Sequence, residues 1–169
     1  MTAARSGSGA GPLDGLRAVV LTETPTAAYA ADLLALLGAE VVHIALDPGA
    51  DEGIDLLRTL LPSADVVLED CAARVLAEAN LDVGDTRAAH RDVVWCALAG
   101  VEGEERADVS AAWHAVAAVL LALHHRAAGS HSSGRAQRID LDVAASRTPA
   151  FVAAPPPALP LRFTFARTP

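Results

Sequence analysis

Residues 16–44, LRAVVLTETPTAAYAADLLALLGAEVVHI, decide the fold because they predict a strand, a helix and a second strand joined by short links. Leu16–Leu21 is a short apolar run, which is typical of a buried strand. Thr26–Leu37 carries apolar residues at helical spacing, and Gly38 follows as a C-cap. Glu40–Ile44 is the next apolar run. Because a helix joins them, the two strands are expected to be parallel, with a right-handed crossover.

The same alternation of strand and helix continues along the chain. It predicts further strands and helices at these ranges: strands at Asp65–Leu68, Asp92–Ala97, Gln137–Val143 and Leu161–Phe165 (the last an edge strand), helices at Ile54–Leu61, Ala72–Ala79 and Asp108–His125. The predicted fold class is α/β: an open, mainly parallel, Rossmann-like sheet with helices on both faces, in a single domain. Residues 1–11 are Gly/Ser-rich and expected to be disordered. Residues 12–169 then form the domain, with a Pro-rich C-terminal segment at 153–169.

Composition limits the classes of partner. The chain has 169 residues and a net charge of −8, and all of its basic residues are arginine. An acidic chain without a basic run argues against nucleic acid and against anionic membranes. The longest apolar stretch, Val109–Leu123, is too short to span a bilayer. No signal peptide is evident, so a cytoplasmic protein is expected. The positive mean hydropathy of +0.31 predicts apolar surface for a partner, and we expect a homodimer.

Metal ligands are not arranged in any familiar pattern. Cys71 and Cys96 do not form a CxxC pair, and the six histidines show no HxxxH spacing. The sequence therefore predicts no metal cofactor.

Seven stretches, in order along the chain, share one pattern: PLDGLRAVVLT at 12–22, YAADLLALLGAEVVHI at 29–44, DPGAD at 47–51, ADVVLEDCAARVLAEANL at 64–81, DVVWCALAG at 92–100, the helix and strand of 108–142, and LPLRFTFARTP at 159–169. In this order they resemble the family III CoA-transferases, the CaiB/BaiF group that includes formyl-CoA transferase and alpha-methylacyl-CoA racemase. The resemblance implies coenzyme A or an acyl-CoA as substrate.

Asp108 is the catalytic candidate that the resemblance implies. In the transferase branch, an aspartate just before the corresponding helix attacks the acyl-CoA thioester and forms a mixed anhydride, which is covalent catalysis by a carboxylate. His114 falls where some members also have histidine. The alternative is that Asp108 only caps the helix, since Asp is a favoured N-cap whose charge suits the helix dipole.

The groups that would hold CoA are less well matched. The family's ENFRPG motif supplies an arginine, but Ala72 stands at that position and Arg74 lies two residues further on. The backbone at Pro25, Thr26 and Ala27 could bind phosphate at a helix N-terminus. These four residues are the predicted cofactor contacts.

The main departure from the family is the short connection over residues 146–158, where full members carry a second, smaller domain. The chain is therefore expected to be a shortened relative whose ancestral acyl-CoA transfer is degenerate. One alternative is a non-catalytic binding or regulatory subunit, partnered by a second copy or by a full-length family member. Another is a repurposed enzyme that acts on a non-CoA metabolite.

Overall fold

A computed structural model describes residues 5–6, 11–21, 24–44, 51–70, 93–99, 109–128, 137–142 and 161–165. The strands and helices, in chain order, are β1 Arg5–Ser6, β2 Arg17–Leu21, α1 Pro25–Leu36, β3 Glu40–His43, α2 Asp51–Leu60, β4 Val66–Glu69, β5 Val94–Ala99, α3 Val109–Ala127, β6 Gln137–Asp142 and β7 Leu161–Phe165. Among the described residues, no helix is both long enough and apolar enough to cross a membrane.

The described strands form one seven-stranded sheet in the order β1-β3-β2-β4-β5-β6-β7. The five central strands are parallel, and β1 and β7 are antiparallel at the two edges. The α/β fold class with an open, mainly parallel sheet is confirmed. The edge strand at Leu161–Phe165 also forms where the sequence predicts it, whereas β1 was not predicted.

Alternation along the strands sends apolar side chains to both faces of the sheet. Ala18 and Val20 of β2 point to the face that is covered by α1 and α3. Val19 and Leu21 point to the face that is covered by α2, where Trp95 is also buried. Both faces are therefore covered by helices, as expected for a mainly parallel sheet.

The positions of the three helices fix the relative hands of the crossovers. The connections β2–α1–β3 and β3–α2–β4 cross the sheet in opposite directions, and their helices lie on opposite faces. The two crossovers therefore have the same handedness. The connection β5–α3–β6 crosses the sheet in the same direction as β3–α2–β4, but α3 lies on the face that α1 covers and contacts α1. With the first unit right-handed, as nearly all such units are, the last has the uncommon left hand. Helices α1 and α3 consequently lie side by side.

Helix boundaries differ from the predicted ones only at their ends. Helix α2 begins at Asp51 rather than Ile54, because acidic Glu52 suits the first turn of a helix. Helix α1 ends at Leu36, and Gly38 follows with φ +102°, which agrees with the predicted C-terminal glycine. The predicted helix Ala72–Ala79 lies outside the described residues.

A polar network centred on Asp65 joins the amino ends of the strands. One carboxylate oxygen of Asp65 accepts the backbone N–H of Arg17 at 3.0 Å, and the other accepts Nη2 of Arg126 at 2.9 Å. Arg17 in turn pairs with Glu40 at 2.9 Å. The network ties β2, β3, β4 and the last turn of α3 together, so the first turn of α3 lies towards the opposite, carboxyl edge of the sheet.

Candidate functional site

The strand order places β3 and β4 on opposite sides of β2. From β2 the chain passes to β3 on one side, while β4 pairs with β2 on the other. In open α/β sheets, ligands bind at the carboxyl ends of the strands at such a topological switch point. Thr24 precedes α1 here, and Glu69 and Asp70 end and follow β4. We call these three residues the switch-point cluster.

Asp70 and Thr24 are joined directly across the switch point. Oδ2 of Asp70 accepts the Thr24 N–H at 2.9 Å and the Thr24 Oγ1 hydroxyl at 2.5 Å. Thr24 is itself the N-cap of α1, and its Oγ1 accepts the Ala27 N–H at 3.5 Å. The Asp70 carboxylate is therefore hydrogen-bonded directly to the N-cap residue of α1 and fixes the orientation of the Thr24 hydroxyl.

The start of α1 is the place where the sequence predicted phosphate contacts. Pro25 is the first helical residue and has no N–H to donate. Thr26 and Ala27 are both fully buried, and the Ala27 N–H already donates to the cap. Asp70 also supplies the negative charge that a helix N-terminus favours. A phosphate bound at this point would lie next to a carboxylate.

Glu69 is the last residue of β4 and contacts Trp95, which is buried on the face of the sheet covered by α2. Glu69 is 3% exposed, and its Oε1 accepts the indole Nε1–H of fully buried Trp95 at 3.2 Å. A buried carboxylate needs such donors because burial without them is strongly unfavourable. The Trp95 contact holds Glu69 at the carboxyl end of β4.

Cys96 is the neighbour of Trp95 on the opposite face of the sheet, and it is fully buried. Burial raises the pKa of its thiol to about 12, with further increases from the carboxylates of Glu69 and Asp140 and a partial decrease from Arg138. Because the thiolate is the reactive form, this cysteine is inert at neutral pH.

Helix α3 contributes the remaining candidates. It begins at Val109, and Asp108, the predicted nucleophile, is the residue just before it in the sequence and lies outside the described residues. His114 lies in the second turn, and its Nδ1 is buried with no hydrogen-bond partner among the described residues. A buried ring nitrogen without a partner is costly, typically by about 1–3 kcal/mol.

The structure thus brings some predicted site residues to one edge. Pro25, Thr26 and Ala27 start α1, and His114 lies near the start of α3, on the same face of the sheet. Arg74, like Asp108, lies outside the described residues.

Sequence reasoning missed the switch-point cluster. The signal was present, since Asp70 directly follows an apolar strand and Thr24 directly precedes a helix, but only the strand order reveals that the two meet. Among the described residues, no group of three or more His, Cys, Asp or Glu could hold a metal ion.

Comparison with protein families gives one match. The family described as CoA-transferase family III matches residues 43–107. Among curated proteins, none matches the chain.

Solved structures with the same fold are longer. The hypothetical protein Rv3272 from Mycobacterium tuberculosis aligns with a TM-score of 0.62 at 18% identity, over 80% of this chain and 55% of that one. A CaiB/BaiF family protein from Brucella suis aligns with a TM-score of 0.61 at 20% identity, over 76% of this chain and 52% of that one. The chain therefore spans about half the length of these structures.

These findings confirm the resemblance seen in the sequence: the chain is similar to the family III CoA-transferases and spans about half the length of the solved structures. At 18–20% identity the solved structures show the fold alone. A shared fold does not by itself define a reaction.

Proposed function

We propose that this protein is a degenerate relative of the acyl-CoA transferases, whose crevice no longer binds CoA through its diphosphate. The ancestral reaction is acyl transfer through an aspartyl mixed anhydride, for which Asp108 would be the nucleophile. The proposal depends on the match to CoA-transferase family III over residues 43–107 and on the electrostatics of the switch point.

The observation that carries the proposal is the position of Asp70. Its carboxylate bonds to both donors of Thr24, at the helix N-terminus that a diphosphate would otherwise approach. Two like charges about 5 Å apart repel by on the order of 1–3 kcal/mol, for effective dielectric constants between that of water and that of a protein surface. The sequence adds a second deficit, because Ala72 replaces the arginine of the family motif.

Calorimetric titration with CoA and with acetyl-CoA tests the proposal. We expect the wild type to show no binding below about millimolar ligand, a weakness that the like-charge repulsion predicts. Asp70→Asn keeps an acceptor for Thr24 and removes the charge, so it should strengthen CoA binding by about tenfold. Dephosphorylated pantetheine is the matched ligand control, since it lacks the diphosphate and should be insensitive to the substitution.

Turnover is measured separately by transfer of a labelled acyl group from CoA to a carboxylic acid, followed by mass spectrometry. We expect no transfer by the wild type and none by Asp108→Asn. Micromolar CoA binding by the wild type, with transfer that Asp108→Asn abolishes, would show an active transferase and overturn the proposal.

A second candidate function is favoured by one observation, the buried Nδ1 of His114 without a described partner. It suits an enzyme or binding protein whose ligand has no diphosphate and presents a hydrogen-bonding group to α3. Thermal-shift screening of small carboxylic acids and alcohols, on wild type and His114→Phe, tests it. A ligand that raises the melting temperature only of the wild type would favour this candidate over the degenerate transferase.

A further inference from the structure

The outer edge of β3, on the side away from β2, carries outward-pointing backbone groups. The N–H groups of Glu40 and Ile44 donate to backbone carbonyls on the β2 side, each at 2.9 Å. Successive N–H groups of a strand point to opposite edges, so the N–H and C=O groups of Val41 and His43 point away from β2. An edge of this kind is a template for another extended strand.

Strand β1 covers this edge with two residues. It runs antiparallel to β3, with Ser6 opposite Val41 and Arg5 opposite Val42. Because Val41 directs its backbone groups outward, Ser6 and Val41 form the pair that exchanges two backbone hydrogen bonds. Arg5 and Val42 form the non-hydrogen-bonded pair, in which the Arg5 N–H points away from β3. We call Arg5–Ser6 the edge strap.

Few interactions hold the edge strap on β3. The net contribution of a backbone hydrogen bond is similar in size to the conformational entropy lost in ordering one residue, so two bonds formed by two residues leave little surplus. The contacts that follow along the described chain do not depend on β1. The Leu13 N–H donates to the Leu37 carbonyl at 3.0 Å, and Gly11 lies against the backbone of Gly38. The strap can therefore open locally while these contacts stay in place.

The sequence beneath the strap is typical of an aggregation-prone segment. Residues 41–46 read VVHIAL, with three β-branched residues and no proline, carboxylate or arginine. Short segments with high β propensity and low charge form cross-β contacts when their edge is exposed. The edge of β3 therefore needs a cover more than a charged strand would.

We propose that the edge strap guards β3 against strand addition, and that its local opening is the step that starts aggregation of the folded protein. A very short antiparallel edge strand is a common way to protect a sheet edge. Opening leaves the backbone groups of Val41 ready to pair with another extended strand, while the rest of the sheet stays folded. This role is independent of what the switch point binds.

Amide exchange of the full chain, followed by NMR, tests the opening. In the wild type we expect the Val41 N–H, which bonds to the strap, to be protected by no more than about a hundredfold, and the Val42 N–H, which bonds to β2, by at least about a thousandfold. Ser6→Pro removes the N–H donor of the strap and should reduce the protection of Val41 below about tenfold, with Val42 unchanged. Equal protection of Val41 and Val42 in the wild type overturns the proposal.

Arg5→Pro is the matched control for the strap. The Arg5 N–H points away from β3, and proline is tolerated at such edge positions, so the protection of Val41 should stay as in the wild type. Loss of Val41 protection in Arg5→Pro as large as in Ser6→Pro overturns the pairing on which the proposal depends.

Thioflavin fluorescence and light scattering test the guard role. Ser6→Pro should shorten the half-time of aggregation at least about threefold relative to the wild type and to Arg5→Pro. His43→Pro closes the edge in another way, because a proline at this outward-pointing position cannot donate to an added strand. The double variant Ser6→Pro/His43→Pro should therefore return to about the half-time of the wild type. Circular dichroism and melting temperature confirm that each variant is folded at the assay temperature.

Two results overturn the guard role. One is a Ser6→Pro variant that aggregates no faster than Arg5→Pro. The other is a double variant that aggregates as fast as Ser6→Pro alone, which would place strand addition at an edge other than β3.

Discussion

Asp65→Ala should destabilise the protein by about 3 kcal/mol, because the Asp65 carboxylate accepts hydrogen bonds from two elements, β2 and α3. The Arg17 N–H donates to Oδ2 at 3.0 Å, and a hydrogen bond to a charged group contributes roughly 1.5–3 kcal/mol. Nη2 of Arg126 pairs with Oδ1 of Asp65, and the side chains of Arg126 and Asp65 are 24% and 27% exposed. At that exposure the ion pair adds about 1 kcal/mol, after allowance for solvent screening.

Asp65→Asn separates the two contributions. The amide oxygen can still accept the Arg17 N–H, whereas the charge that attracts Arg126 is gone. We therefore expect a loss of about 1 kcal/mol for Asp65→Asn, roughly a third of the loss for the alanine variant. Asp55→Ala is the matched control, because Asp55 pairs with Arg58 on the surface of α2, where the side chains are 70% and 52% exposed. That pair should contribute under about 0.5 kcal/mol.

Urea denaturation followed by circular dichroism measures these differences, provided that the slope of free energy against urea stays constant across the variants. If Asp65→Ala and Asp55→Ala destabilise equally, the network around Asp65 does not hold the amino edge. If Asp65→Asn is as damaging as Asp65→Ala, the ion pair rather than the backbone contact carries the stability.

Two further predictions concern the packing of the domain. Gly38→Ala should destabilise the protein by at least about 1 kcal/mol more than Gly15→Ala. Both glycines have positive φ, so both substitutions introduce strain, but only at Gly38 would the new Cβ contact backbone, 2.9 Å from the nitrogen of Gly11. Equal losses of stability in urea denaturation would contradict this close approach. In a Cys71→Ser background, DTNB should label no thiol of the native protein at pH 8 and one after unfolding. The pKa of the Cys96 thiol is raised from 9.0 to about 12 on folding, so its contribution to stability is complete below pH 9 and is lost as pH rises towards 12, by on the order of 4 kcal/mol. A Cys96→Ala variant with the same alkaline pH dependence would refute that assignment.

Local order was predictable because the relevant signals are local. Apolar periodicity and the cap signals at Pro25 and Gly38 placed α1 to within a residue at each end. Strand β1 was not predictable, since Arg5–Ser6 is two residues long and is positioned by its pairing with β3. A run so short carries no period, and its formation depends on an edge strand that lies far away in sequence.

The position of α3 was also beyond sequence reasoning. Nothing in the pattern of Val109–Ala127 says which face of the sheet it covers, and the preference for right-handed crossovers would have placed it on the face of α2. Its packing against α1 instead follows from side chains such as Ala112 and Ala115, which are fully buried in the core shared by the two helices. Small side chains let two helices approach closely, and this shared packing depends on the whole fold.

The candidate site, like the fold, could be predicted only where the signals are local in sequence. The family resemblance showed that Ala72 replaces an arginine. The electrostatics of the switch point depend as much on Asp70, which the motif comparison did not identify. Thr24 and Asp70 are 46 positions apart, and only the pairing of β2 with β4 brings them within hydrogen-bonding distance. Composition gives a net charge of −8 but not its distribution. The distribution matters at the switch point, because a carboxylate at the start of α1 opposes a diphosphate. The CoA titration of Asp70→Asn tests this distribution directly, because the substitution removes the charge and keeps an acceptor for Thr24.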